Sequence, residues 1–464
     1  MRKKGEYMNG SRKMIRDLTE GNIPKLLLSF ALPLFLSNLL QALYNLVDMV
    51  VVGRVLGGTG MSAVSVGSDI LHFLTFIAMG FSNAGQILIA RLVGEKREKD
   101  ISLMIGTMFT VLLAASLAVS AICIFFRTGI LDLMNTPAES YADALDYVVT
   151  CACGLFFIYG YNIVSAILRG MGDSRRPFLF IGIAAVLNTV LDIWFVAYLG
   201  LGVFGAALAT VIGQGVSFLF SLVYLFRRRE SFCFDFRPAS FRVDRGSLSK
   251  LVKLGIPMAI QSASVNFSKV VLSAWINSNG LIYSAVAGIY NKLNVIINTV
   301  SSAFTTAGGA MVSQNLGAKK YRRIRGILGT VALYSVVLAG LFSAVMVLKY
   351  RAVFELFTAD EAVLAAAPMI LGACVCNFFG AAVRAVGFSV INGSGRPKLN
   401  LAVALIDGLL GRIGGAYLLG FVLALGAKGF WFGDALAGYI PFVIGMGFYL
   451  FGNWKQEENG KAQI

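Results

Sequence analysis

Among the carboxylates inside long apolar stretches of the first half of this chain are Asp48, Asp69 and Asp192. A charge at the centre of a bilayer costs roughly 2.5–3.5 kcal/mol on insertion scales, so such a residue is expected to be paired, to face water or to work. Apart from Lys25 at the start of the first, no Lys or Arg lies in the same stretches. The second half reverses the balance, setting Lys269, Lys292, Arg384 and Arg412 against Asp407 and Asp434. Asp192 and Thr210 lie equally far either side of Leu201, in a tight connection. A helical hairpin turning there puts both about 10–14 Å below the turn, at 1.5 Å per residue. Asn188 comes one turn before Asp192 and shares its helix face. Asp48 stands shortly before Gly53, also near an outer end. Two carboxylates, an amide and a hydroxyl can therefore converge in the outer part of the first half. Oxygen donors with net negative charge suit a hard cation. Two close carboxylates can instead share a proton. The plainer alternative is a polar cluster that only fastens three helices together.

The elements that must hold these groups follow from composition. Apolar residues make up 57% of the 464 and charged residues 14%, against roughly 25% charge in a soluble domain. Mean hydropathy is +0.75. This describes an integral membrane protein and excludes a disordered chain or a disulfide scaffold. A spanning helix needs about 20 mostly apolar residues. Such runs occur at 24–52, 61–90, 101–126, 140–168, 177–199 and 203–226, then at 251–278, 282–314, 326–348, 362–391, 399–423 and 429–452. The fold class predicted is all-α, with twelve transmembrane helices in two pseudo-symmetric six-helix lobes around a central cavity. Residues 1–226 form the first lobe, 227–250 a basic cytoplasmic linker, and 251–464 the second lobe with its tail.

The net charge of +16 sits in short segments between the apolar runs, which is how orientation signals are distributed. No basic surface is interleaved with aromatics as a nucleic-acid site would be. Lys and Arg concentrate before residue 26, in the even-numbered connections and in the tail. The odd-numbered connections hold Arg54, Arg127, Lys349, Arg351 and Lys428. Both termini are therefore expected in the cytoplasm. The polar stretch 1–25 lacks the apolar core of a secretory signal. Cys151/Cys153 and Cys374/Cys376 point about 200° apart on a helix and read as small apolar fillers. The turns GMGDSRRP and GSGRP lack the GKS or GKT of a phosphate loop, so ATP is not the expected fuel.

The chain repeats itself. Pro33 and Pro257 open matching stretches 224 residues apart; ARLVGEKREKDI (90–101) aligns with SQNLGAKKYRRI (313–324); RGMGDSRRP and NGSGRP end on Pro177 and Pro397. Each half has an even number of spans, so both run in the same sense and are expected to be related by a pseudo-twofold along the membrane normal.

YNLVDMVVVGRVLG (44–57), RGMGDSRRP (169–177), LNTVLDIWFVAYLGLGVFGAALAT (187–210) and VSQNLGAKKYRRIR (312–325) together resemble the multidrug and toxic compound extrusion (MATE) transporters. The resemblance runs over about residues 15 to 455, and the branch it looks most like is the DinF type. It implies export of cationic or amphipathic compounds coupled to entry of Na⁺ or H⁺, with no cofactor. It also implies that Asp48 and Asp192 are the coupling carboxylates, with Asn188 and Thr210 as neutral ligands of a proton or Na⁺. Pro33, inside helix 1, matches a family position at which that helix can bend. The neighbourhoods SASVNFSKV (262–270) and ACVCNFFGAAVRAVG (373–387) contain no Asp or Glu, so a second coupling site of the kind some branches carry there is not expected.

Other polar residues are candidates for the cavity. Gln41 and Tyr44 precede Asp48 on helix 1; Asp69 is followed by the lone His72, which can bond it. Lys292 and Arg412 fall opposite Asp69 and Asp192 under the repeat and are read as a cationic wall facing the acidic lobe, while Lys269 and Arg384 are expected to snorkel or bind lipid headgroups. The expected protein is a monomeric antiporter of the cytoplasmic membrane, in contact with lipid and small organic substrates, with no ATPase subunit and no nucleic acid. A lipid-linked oligosaccharide flippase of the same superfamily is the alternative. An intramembrane enzyme would need a nucleophile–base pair or metal ligands such as HExxH, which the chain lacks.

Overall fold

The computed structural model describes residues 16–452 and 454; the charges before and beyond them, which carry part of the orientation signal, lie outside the described residues. Among the described residues every regular element is helical. The principal helices are α1 (Ile23–Gly94), α2 (Glu98–Phe125), α3 (Ala138–Gly170), α4 (Arg175–Tyr198), α5 (Gly202–Arg227), α6 (Arg245–Asn277), α7 (Leu281–Gly317), α8 (Tyr321–Glu355), α9 (Pro368–Ser394), α10 (Pro397–Val422) and α11 (Ala427–Phe451).

Ten of these are long and apolar enough to cross a membrane. The exception is α6, which carries Arg245, Lys250, Lys253 and Lys269 along one span's length. Twelve spans result because α1 is two helices joined at Gly57, whose φ of 68° and ψ of −154° leave the helical region. That backbone conformation is open essentially to glycine alone. Nothing lies within 4 Å of where a Cβ would stand, so the restriction is conformational and not steric crowding. Gly57→Ala is accordingly expected to lower stability by about 1–3 kcal/mol. A downward shift in the melting temperature of the purified protein checks this, and an unchanged melt would show that the joint relaxes freely.

Packing divides the chain into two units. The first contains Leu32–Gly255; the second contains Leu18–Ala31 and the chain from Ile256 onward. In the first unit α3 packs on α2 and α5, and α4 lies against α5. Tyr147, Cys151, Val196 and Ala206 are fully buried there. In the second, α9 packs on α7, α8 and α11, and α11 lies against α10. Glycines make these approaches close: a Cβ at Gly433 would meet the backbone of Ala416, and one at Gly387 the backbone of Pro441. Small residues of this kind let spanning helices pack where no hydrophobic drive separates helix from lipid. Large apolar side chains such as Phe125, Leu341, Leu410 and Val443 are left on the outside, as a lipid-facing surface requires.

The segment Leu18–Ala31 belongs to the second unit through polar contacts as well as packing. The Leu18 N–H donates to Gln314 Oε1 at 3.0 Å, and Lys320 Nζ donates to Thr19 Oγ1 at 3.0 Å. Conversely the start of α6 belongs to the first unit: Gly255 faces Phe81, and the Asp244 N–H donates to Thr107 Oγ1. Asp244 also caps α6, accepting the Ser247 N–H at 2.7 Å, and that bond holds its carboxyl below the usual range. Pro33 lies within α1 without interrupting it, and its carbonyl accepts from Ser37 Oγ at 2.8 Å.

Two helices change winding near the residues of interest. After Asp192, α4 becomes π-helical over Ile193–Tyr198; α10 is π-helical over Ile406–Gly414 and Leu418–Val422. Such widened turns concentrate at functional sites.

Candidate functional site

Asp48, Asn188, Asp192 and Thr210 come together inside the first unit. Their convergence starts from helix geometry: Tyr44 and Asp48 are one turn apart on α1, as are Asn188 and Asp192 on α4. Gly213 brings α5 against α4, since a Cβ there would stand 3.2 Å from the Ala184 carbonyl and 3.3 Å from the Asn188 Cβ. With its amide oriented to complementary groups, Asn188 donates to Asp192 Oδ2 at 3.2 Å and accepts from the Thr210 N–H at 3.3 Å. The Thr210 hydroxyl lies 3.4 Å from the same amide.

The carboxylates are deeply buried, Asp48 at 6% exposure and Asp192 at 0%. One oxygen of each, Oδ1, has no hydrogen-bond partner. Neither forms an ion pair with any described Lys, Arg or His, yet each lies within reach of the other's charge. Buried carboxylates in this condition strongly favour either a proton or a bound cation, because an unpaired anion in a low-dielectric interior is costly. The donor set consists of oxygens, which suits Na⁺ or H⁺ and not a soft metal. Among the described residues no group of three or more His, Cys, Asp and Glu could hold a metal ion.

Spacing alone did not bring in Gln214. It is one turn beyond Thr210 on α5, buried, and its Nε2 donates to the Tyr44 hydroxyl at 3.5 Å. A polar residue four positions from a candidate ligand in an apolar helix was the available signal. Tyr44 is thereby tied to the α5 face of the site, whereas Gln41 is exposed. Asp69 and His72 are also exposed; no bond joins them, and His72 stacks on Phe76 at a centroid distance of 6.5 Å.

The second unit handles its charges differently. Arg384 grips Asp407 with two hydrogen bonds of 2.9 Å, and Arg412 bonds Asp434 while its Nε lies 3.6 Å from Asp407. The expectation that Arg384 snorkels is therefore corrected: a carboxylate inside the bundle is available and the guanidinium Nη2 bonds both its oxygens. Arg412 likewise spends its charge within its own unit and is 3% exposed, so it is not a free cationic wall. Lys292 is exposed on α7 and is absent from the lining of the interior cavity beside these pairs, while Lys269, expected to snorkel, lines that cavity. Asp407 and Asp434 each have an arginine partner, whereas Asp48 and Asp192 have no described basic partner.

Comparison with known proteins agrees with the duplication. The MatE family model matches residues 33–194 and again 257–418, two stretches offset by the same 224 residues as Pro33 and Pro257. The probable multidrug resistance protein YpnP of Bacillus subtilis is 31% identical over 66% of this chain and 68% of its own length. Its counterpart YoeA from the same organism is 25% identical over 92% of this chain and 94% of its own. Among solved structures, an outward-facing multidrug resistance MATE family transporter of the MOP superfamily superposes with a TM-score of 0.85 at 21% identity, covering 96% of this chain and 97% of that one. At that identity the likeness speaks for the two-lobe fold. The family match speaks for more, since it takes in both repeats and so most of the membrane-embedded chain: this protein belongs to the MATE family of membrane transporters.

Proposed function

We propose that the protein is a secondary active antiporter of the DinF-type branch, exporting cationic or amphipathic organic compounds in exchange for Na⁺ or H⁺. The observation that supports this most is the pair Asp48 and Asp192, buried without a basic partner and each with an unsatisfied oxygen. In this reading the two carboxylates take up the coupling ion with Asn188 and Thr210 as neutral ligands, and its binding and release bias the lobes between inward and outward access. Pro33 gives helix 1 a point at which to bend during that change. Inward movement of one positive charge gains about 2.3 kcal/mol per 100 mV, so no ATPase subunit is needed. The protein is read as a monomer in the cytoplasmic membrane with both termini inside, where Lys and Arg cluster. The drug-resistance names of its relatives support the substrate class.

A lipid-linked oligosaccharide flippase is the second reading, favoured by the basic interior of the second unit. Reconstituted vesicles separate the two. Export of a fluorescent organic cation, driven by an imposed pH gradient or an imposed Na⁺ gradient, is expected for the antiporter and names its ion. No movement under either gradient, in protein that elutes as a folded species, would transfer the assignment to the flippase.

A further inference from the structure

A cavity in the second unit is lined by residues of α6, α7, α9, α10 and α11 and has a volume of about 240 Å³. For scale, a cavity of roughly 150 Å³ admits benzene. Leu272, Ile276 and Phe430 give it an apolar lining. Charge lines it too: Lys269, Arg384 and Arg412 with Asp434, while Asp407 pairs with both arginines. Both acids are already engaged by arginine, so the cluster keeps one surplus positive charge. That surplus is the Lys269 ammonium, which forms no hydrogen bond or ion pair with any described residue.

The remaining polar groups point the same way. Arg384 Nε and the Trp431 indole Nε1 are buried without a hydrogen-bond partner, and both residues line the cavity. Each is a donor that cannot accept. Asn291, Asn294 and Asn298 present one face of α7 to the same space, and Asn377 steadies it by donating to Asn294 Oδ1 at 2.6 Å. A buried donor left unsatisfied is costly, and two of them beside a surplus cation define what would satisfy the site. An organic cation would meet net positive charge. A dianion would exceed the single available charge.

We propose that this cavity is a binding site for the carboxylate of a small amphipathic monoanion, its charge on Lys269 and its apolar body against Phe430, Leu272 and Ile276. The site is separate from the coupling acids of the first unit and goes beyond the export reading, because occupancy can be measured without transport. For the transporter it would extend the cargo from cations to compounds that bear a carboxylate.

Isothermal titration of the purified full-length protein with benzoate, its neutral isostere benzamide and the cation benzylamine tests the assignment. Benzoate is expected to bind saturably and roughly tenfold or more tighter than either analogue, since a hydrogen-bonded charge contributes that much. Lys269→Gln should remove the preference for benzoate over benzamide, and Lys269→Arg should retain it. Asp192→Asn should leave it unchanged. If Lys269→Gln does not fold, the wild-type protein still decides: benzoate binding no tighter than benzamide overturns the proposal. So does undiminished benzoate binding by folded Lys269→Gln. Loss of cation export in Asp192→Asn with benzoate binding intact would separate the two readings. Failure of benzoate binding alone would remove this site and leave the export reading standing.

Discussion

Asp192→Asn is expected to reduce gradient-driven export of an organic cation to the level of protein-free vesicles, with expression and melting behaviour close to wild type. The side chain keeps its shape, and an amide oxygen at 192 can still accept from Asn188, whose amide donates to Asp192 Oδ2 at 3.2 Å. What it loses is the charge that makes the site attract a proton or Na⁺. Because Asp192 is fully buried and without a basic partner, its neutral replacement removes a desolvation cost and not an ion pair. Folding should therefore tolerate the change that transport does not. Asp48→Asn should behave similarly, its carboxylate being the other half of the pair. Transport by Asp192→Asn at wild-type rate under either gradient would exclude the residue as the coupling group.

The opposite pattern is expected in the second unit, where Arg412→Leu should be a stability mutation. Arg412 bonds Asp434 and approaches Asp407 to 3.6 Å, with both acids buried. Removing one partner of a buried ion pair leaves a charge uncompensated and costs about 3–5 kcal/mol. For a unit of some 200 residues that corresponds to a fall in melting temperature on the order of 10 °C. Replacing Asp434 by Leu as well removes the stranded charge, leaves Arg384 on Asp407, and is expected to recover most of the loss. Fluorescence-monitored melting of the single and double variants checks both statements. A single variant as stable as wild type would mean that the network contributes nothing to holding α9, α10 and α11 together.

These two cases also mark what could be read from the chain alone. All twelve spans announce themselves as apolar runs, two of them within α1, and α6 is the one whose four basic residues dilute its apolar character most. Asp48, Asn188, Asp192 and Thr210 were legible because their grouping follows from α-helical spacing and one tight turn. Gln214 followed the same rule and was overlooked. The pairing of Arg384, Asp407, Arg412 and Asp434 was not legible, for a physical reason. Two of the contacts join different helices, and no spacing encodes them. The third, Asp407 to Arg412, spans five residues, which an α-helix turns to different faces. It is the π-winding of Ile406–Gly414, with its five-residue bond period, that brings the two side chains to one side. A reading based on 3.6 residues per turn assigns them apart and leaves both arginines looking unpaired.

The membership of Leu18–Ala31 in the second unit has a consequence for how the protein is made. Leu18 and Thr19 leave the ribosome early, but their hydrogen-bond partners Gln314 and Lys320 follow 296 and 301 residues later. At about 5–20 residues per second, that interval is roughly 15–60 s. Throughout it the start of the first helix has nothing but water, lipid headgroups or a chaperone for partners, while the first unit is already able to close. Among the described residues, the first to be synthesised are thus among the last to settle. A ribosome stalled anywhere before residue 314 would release a chain whose segment 18–31 lacks these partners.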